Sequence, residues 1–251
     1  MGWQIVRHSI GLIFRNWREA LRVSVGPLVV LIAVTTLVMP FLVHAMLANL
    51  TPESIQGGAG SARLLVLQLL VLLGTFATVA WIAVAWHRHV LLDERATILP
   101  TPPSRLVWRY LGRFLIVALG PAFLLLLALI GIAVLTTRSG ASPLWPDVAM
   151  PVGFILTVHM MLRLGLALPG TALARPLPLV EAWRLTGRHK GTLWSLTGVM
   201  ALASVINNLL GQATSWPGTI LAFVVSWATL MLGLSILTTP YGHLVERRPL
   251  A

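Results

Sequence analysis

His159 and Arg163 are the residues of this sequence whose type and setting most invite chemistry, because they stand inside an apolar run that otherwise carries no charge. Their spacing of four puts them on one face of a helix. At about 1.5 Å per residue from the start of that run, His159 falls at mid-depth and Arg163 roughly 7 Å from the inner edge. An ionisable residue at such depth in a bilayer marks a functional site by default. The competing expectation is structural: Arg163 reaches to the inner headgroups while a neutral His159 bonds a neighbouring helix.

A second polar group, His44, Gln68, Asn207 and Asn208, falls near the opposite end of three other apolar runs, with Gln212 just beyond. Shared depth would allow a partly hydrated pocket, and ordinary interhelical hydrogen bonding would use the same residues. His87 and His89 flank Arg88, but histidines two apart point to different sides of a helix and Arg88 repels a cation, so no metal site is expected. Asp93 and Glu94 read as charge partners of Arg88 and Arg95. There is no HExxH, GxSxG, P-loop or dinucleotide fingerprint, and no Asp or Glu lies inside an apolar run. Cysteine is absent, which removes disulfide and thiolate chemistry. The expectation is a non-enzyme with no catalytic residue and no cofactor.

The elements that position these residues follow from composition. Of 251 residues, 57% are hydrophobic and 10% charged, and the mean hydropathy is +0.87. A soluble domain carries about 25% charged residues. The apolar residues collect in six runs, about 23–48, 64–86, 114–136, 148–168, 191–210 and 219–239. Each matches the roughly 20 residues that cross a bilayer as a helix, and none shows the alternation of a barrel strand. The fold class is therefore all-α: a polytopic bundle of six transmembrane helices, one membrane domain over 1–251.

Sixteen of the eighteen basic residues fall on one side of these runs, leaving only Arg63 and Arg138 on the other. By the positive-inside rule both termini are cytoplasmic. The net charge of +11 then reflects helix ends anchored at anionic headgroups, and no nucleic-acid partner is expected. Trp17, Trp86, Trp145, Trp194 and Trp216 lie near the ends of the runs, where an aromatic belt would sit.

Three stretches on the basic side look amphipathic. In 1–22, Trp3, Val6, Ile10, Ile13, Phe14, Trp17 and Leu21 recur at helical spacing opposite Arg7, Arg15, Arg18 and Arg22, as in an interfacial helix. A second opens after Pro102 and Pro103, with Ser104 as N-cap and a stripe of Arg105, Arg109 and Arg113. A third follows Pro178 and carries Arg184 and Arg188. Each holds a Trp-Arg pair (Trp17-Arg18, Trp108-Arg109, Trp183-Arg184), and the first two lead to Gly26-Pro27 and Gly120-Pro121. This suggests three repeated hairpins, each entered by a cytoplasmic elbow helix, although basic entry helices also converge on such composition. Their arginines are the candidate surface for a partner or for lipid. Gly191, Ser195, Gly198, Ala201, Ser204 and Asn208 make a small-residue stripe suited to close packing.

The stretch from Arg163 through Leu-Gly-Leu-Ala-Leu to Pro169, then Leu179-Val-Glu-Ala-Trp-Arg-Leu-Thr-Gly187 and Leu193-Trp194, resembles an arrangement in bacterial six-span proteins similar to the membrane domain of glycerophosphoryl diester phosphodiesterases. The resemblance covers this stretch alone and no phosphodiesterase domain is present, so it implies a bacterial inner-membrane location and a structural role for Arg163 and Pro169, not an activity. The leading expectation is a non-enzymatic scaffold, accessory subunit or lipid-interacting module. The alternative is the permease half of an ABC-type exporter, with 104–113 as the coupling helix for an ATPase partner.

Overall fold

The computed structural model describes residues 2–48, 59–139 and 145–249, which are helical almost throughout, with no strand among them. Helix α1 (Gly2–Arg15) leads into α2 (Trp17–Ala48), α3 (Ala59–Leu92) and α4 (Ser104–Ser139). Then come α5 (Trp145–Gly165), the short α6 (Ala167–Ala172), α7 (Leu179–Gly187), α8 (Lys190–Gly211) and α9 (Trp216–Leu244). Six stretches, in α2, α3, α4, α5 with α6, α8 and α9, are long and apolar enough to cross a bilayer, so this is a multi-pass membrane protein with an all-α bundle. Most of the connections 51–62 and 138–146 lies outside the described residues, as do the side chains of Arg63, Arg138 and Trp145.

The three stretches read as elbows differ in build. Between α1 and α2 the chain breaks at Asn16, whose side-chain amide donates to the Leu12 carbonyl at 2.8 Å and holds the turn. Between α7 and α8 it breaks at Arg188 and His189. The second stretch is no separate elbow: 104–113 is the opening of the 36-residue α4, because nothing between Ser104 and Phe114 interrupts the helical ladder. Nor does Ser104 cap it, since the Pro103 carbonyl already takes the amides of Leu106 and Val107. The two Gly-Pro pairs diverge as well. A Cβ on Gly26 would lie 1.8 Å from the Ile98 carbonyl, whereas one on Gly120 would meet nothing within 4 Å.

Helix α1 divides the apolar arc expected of it. Ile5, Val6 and Ser9 are buried against α8 and α9, while Trp3, Ile10 and Phe14 form an exposed apolar edge beside the arginines.

Burial is concentrated at one end of the bundle, the end at which the arginines collect, here the basic end. The core runs through Ala20, Val23, Ala80, Ile82–Trp86, Leu106, Tyr110, Leu111, Leu168, Ala172, Met231 and Leu234, with Ile5, Leu196 and Ile236 in an adjoining cluster. The opposite halves of the spans leave large side chains exposed: Leu37 and Phe41 in α2, Leu69 in α3, Phe123 and Leu127 in α4, Val152 in α5, Val205 in α8, Phe223 in α9. Lipid tails are as apolar as leucine, so apolar surface alone does not drive spans together; close approach of small residues and hydrogen bonds do. Those features lie at the basic end, where Ala20, Ala80, Ala83, Ala167, Ala172 and Ala182 let backbones approach and Ser9, Ser24, His87, Thr186, Ser235, Thr238 and Thr239 are buried.

Candidate functional site

The centre of the basic end is a buried polar seam along α9. His87, from α3, places Nδ1 2.8 Å from Thr238 Oγ1 and Nε2 3.1 Å from the Tyr110 hydroxyl. Thr238 spends its proton on the Leu234 carbonyl at 2.7 Å, so toward His87 it accepts. The ring is thereby fixed as the Nδ1–H tautomer, with Nε2 taking the Tyr110 proton. Beside it the Trp86 indole donates to Ser235 Oγ at 3.2 Å, and the Trp227 indole donates to Ser24 Oγ at 2.8 Å. Ser9 Oγ and Thr239 Oγ1 lie 3.1 Å apart and tie α1 to the same face. Trp86 is thus no belt residue: it is wholly buried, because a polar acceptor on α9 receives its N–H inside the bundle. Trp17 and Trp216 are exposed, and Trp194 is half exposed.

Around this seam, four arginines clamp backbone carbonyls. Arg88 reaches the Ala172 carbonyl at 3.1 Å while its other nitrogens hold Glu94. Arg113 donates to the Leu177 carbonyl and to Thr171 Oγ1. Arg248 donates to the Leu91 carbonyl at 2.8 Å. Arg163 completes the set: its Nη2 donates to the Trp183 carbonyl at 2.9 Å and its Nε reaches Thr186 Oγ1 at 3.4 Å, while the guanidinium lies 3.4 Å from the Trp183 ring centroid. A Cβ on Gly187 would sit 3.0 Å from Arg163 Nη2, so glycine there lets the guanidinium lie flat on α7. A guanidinium carries five donors and so can satisfy several acceptors at once.

His159 and Arg163 do share one face of α5, and each is engaged by a different neighbour. His159 stacks on Trp194 with ring centroids 4.1 Å apart, and its Nδ1 lies 3.0 Å from Thr197 Oγ1. Thr197 donates to the Leu193 carbonyl, so it accepts from His159. Arg163 extends toward the end of α5 as a snorkelling arginine would, but it ends on the backbone and ring of α7.

The four residues of the opposite-end polar group are not drawn into one pocket. His44 and Gln68 are exposed on the α2–α3 hairpin. Asn207 accepts from Ser226 Oγ at 2.6 Å, and Asn208 pairs along its own helix with Gln212 at 3.4 Å. The small-residue stripe of α8 also packs little within the chain: Cβ atoms on Gly191 or Gly198 would meet nothing within 4 Å, although Ser195 lies against Gly2 of α1.

Of the arginines proposed as a surface, Arg105, Arg109, Arg184 and Arg188 are exposed, whereas Arg113 is half-buried and structural, because α4 carries it over the α6–α7 connection. Arg184 bonds Glu181 at 2.8 Å, and that carboxylate pushes its guanidinium above the ordinary arginine range. Among the described residues no group of three or more His, Cys, Asp or Glu side chains is placed to hold a metal ion. Compared with known proteins, the chain matches no family model, no curated protein and no solved structure.

Proposed function

We propose that the chain is a non-enzymatic scaffold or accessory subunit of a bacterial inner membrane, with both termini and the basic end in the cytoplasm. The observation that carries this reading is the concentration of side-chain packing at the basic end. Internal bonds hold that end, and the opposite halves of the spans are left for lipid and for the spans of a partner. The charge asymmetry supports the orientation, since sixteen of eighteen basic residues gather where positive-inside topology needs them. The non-enzymatic reading is supported by the engagement of the deep ionisable groups: His87, Tyr110, His159, Arg113 and Arg163 are each committed to hydroxyls, carbonyls or rings of the chain itself. Kinship with the phosphodiesterase membrane domain is proposed on the same footing, because the stretch that carries it forms the Arg163 clamp from α5 through α8.

The test is a pull-down from native membranes with photo-crosslinking residues at Phe123 and Leu127 in the opposite half and at Arg105 and Arg109 on the basic end. A stoichiometric integral-membrane partner crosslinked from Phe123 or Leu127 is the expected result. A stoichiometric ATPase captured at Arg105 or Arg109 would establish the exporter-permease alternative instead. No stoichiometric partner from either set would overturn the scaffold reading.

A further inference from the structure

We propose that a groove between α2 and α3 is a binding site for one anionic phospholipid, with an acyl chain in the groove and the phosphate at the start of α4. The inference deepens the lipid-facing side of the function proposed above and requires only that the chain sits in a bilayer. The groove is open to the surface, has a volume of about 530 Å³ and is lined mostly by apolar side chains, among them Val30 and Val34 from α2 and Ala77 from α3. Small residues on α3 open it, since Gly74 presents no side chain and a Cβ there would meet nothing within 4 Å.

Two contacts fix its roof, the connection 93–103. The Trp81 indole donates to the Pro100 carbonyl at 2.8 Å, and Ile98 lies so close to Gly26 that no larger residue fits. The groove is therefore built by the chain itself and does not need a lipid to hold α2 and α3 apart. Its depth also suits a lipid. Trp81 stands five residues, about 7.5 Å along a helix, inside the end of the apolar run at Trp86, where acyl chains meet headgroups. From there to Gly74 the groove continues about 10 Å farther into the hydrocarbon.

Charge at the mouth selects the headgroup. Ser104 and Trp108 line that mouth, Trp108 is 63% exposed, and each is followed in sequence by an exposed arginine, Arg105 and Arg109, one turn apart on α4. Both arginines are exposed, and no salt bridge engages either among the described residues. Glu94, in the same connection, is held by Arg88. Two exposed guanidiniums on long, flexible stems next to that mouth in sequence can reach a phosphate held there, and anionic leaflets supply such a phosphate.

The experiment is native mass spectrometry of the whole chain released from vesicles of equal phosphatidylglycerol and phosphatidylethanolamine. One retained phosphatidylglycerol is expected. Gly74→Leu puts a side chain into the groove at a position where a Cβ meets no other atom, and should abolish retention of either lipid. Ala77→Leu repeats the test should the first variant fold poorly. Arg105→Gln and Arg109→Gln should keep a lipid bound but cut the preference for phosphatidylglycerol by about fivefold for each arginine. Retention unchanged by filling the groove, or a preference unchanged by both arginine variants, would overturn the proposal. Partner capture from Phe123 and Leu127 is read separately, so a failed lipid test with the partner still captured overturns the lipid site and leaves the scaffold reading standing.

Discussion

The two halves of the bundle are made of the same helices and nearly the same apolar residues, yet one is packed and the other open. At the basic end alanines alternate with serines, threonines and a histidine, and wholly buried Trp86 sits beside Ser235. In the opposite half, Leu69, Phe123, Leu127, Val205 and Phe223 project outward with few polar groups between them. The contrast teaches that in a bilayer hydrophobicity selects the spans, while small and polar residues decide where the spans meet.

The sharpest way to break the contrast is a matched pair of truncations. Trp86→Ala should destabilise by about 3–5 kcal/mol, the cost of removing a fully packed indole, and should orphan Ser235. Phe123→Ala, on a ring 59% exposed, should cost less than about 0.5 kcal/mol. Thermal unfolding in detergent reads both, and equal losses would erase the distinction. Next comes Arg163→Leu, which strips the guanidinium from the Trp183 carbonyl and ring and should cost about 2 kcal/mol. Arg163→Lys keeps the charge but not the planar fork, and should recover less than half of that loss.

A smaller effect separates the two Gly-Pro pairs. Gly26→Ala drives a methyl into the Ile98 carbonyl and should cost about 1–3 kcal/mol, while Gly120→Ala should leave stability unchanged or raise it slightly. Equal responses would restore the two positions as equivalents in a repeat. Smallest of all, Arg184→Gln removes only an exposed pair with Glu181 and should leave the unfolding temperature where it was.

These contrasts also show which features of the molecule a sequence can reveal. The six spans were legible because a run of twenty uncharged residues has few other uses. That His159 and Arg163 stand together was legible too, since a spacing of four is a local property of a helix. Their partners were not, because Trp183, Thr186 and Thr197 lie 20 to 38 positions away, on other helices. The His87 seam was hidden more deeply, with Thr238 separated from it by 151 positions and neither residue distinctive alone. Arg113 was misread as surface because its acceptor, the Leu177 carbonyl, is a backbone atom with no residue-type signal. Continuity of 104–113 with α4 was only partly legible, since no proline stands before Phe114 but Gly112 does, and the helix runs through it.

The chain contains no cysteine, so single cysteines carrying a nitroxide label can be placed at will. The most direct test of the account is oxygen accessibility of labels at Leu37, Leu69, Leu127, Val152, Val205 and Phe223, one per span, in the purified protein in lipid nanodiscs. All six are exposed here and should report free contact with hydrocarbon, while a label at Leu234 in the core should be shielded. Shielding at two or more of the six would mean that the opposite half closes on itself, and would contradict a bundle packed chiefly at its basic end.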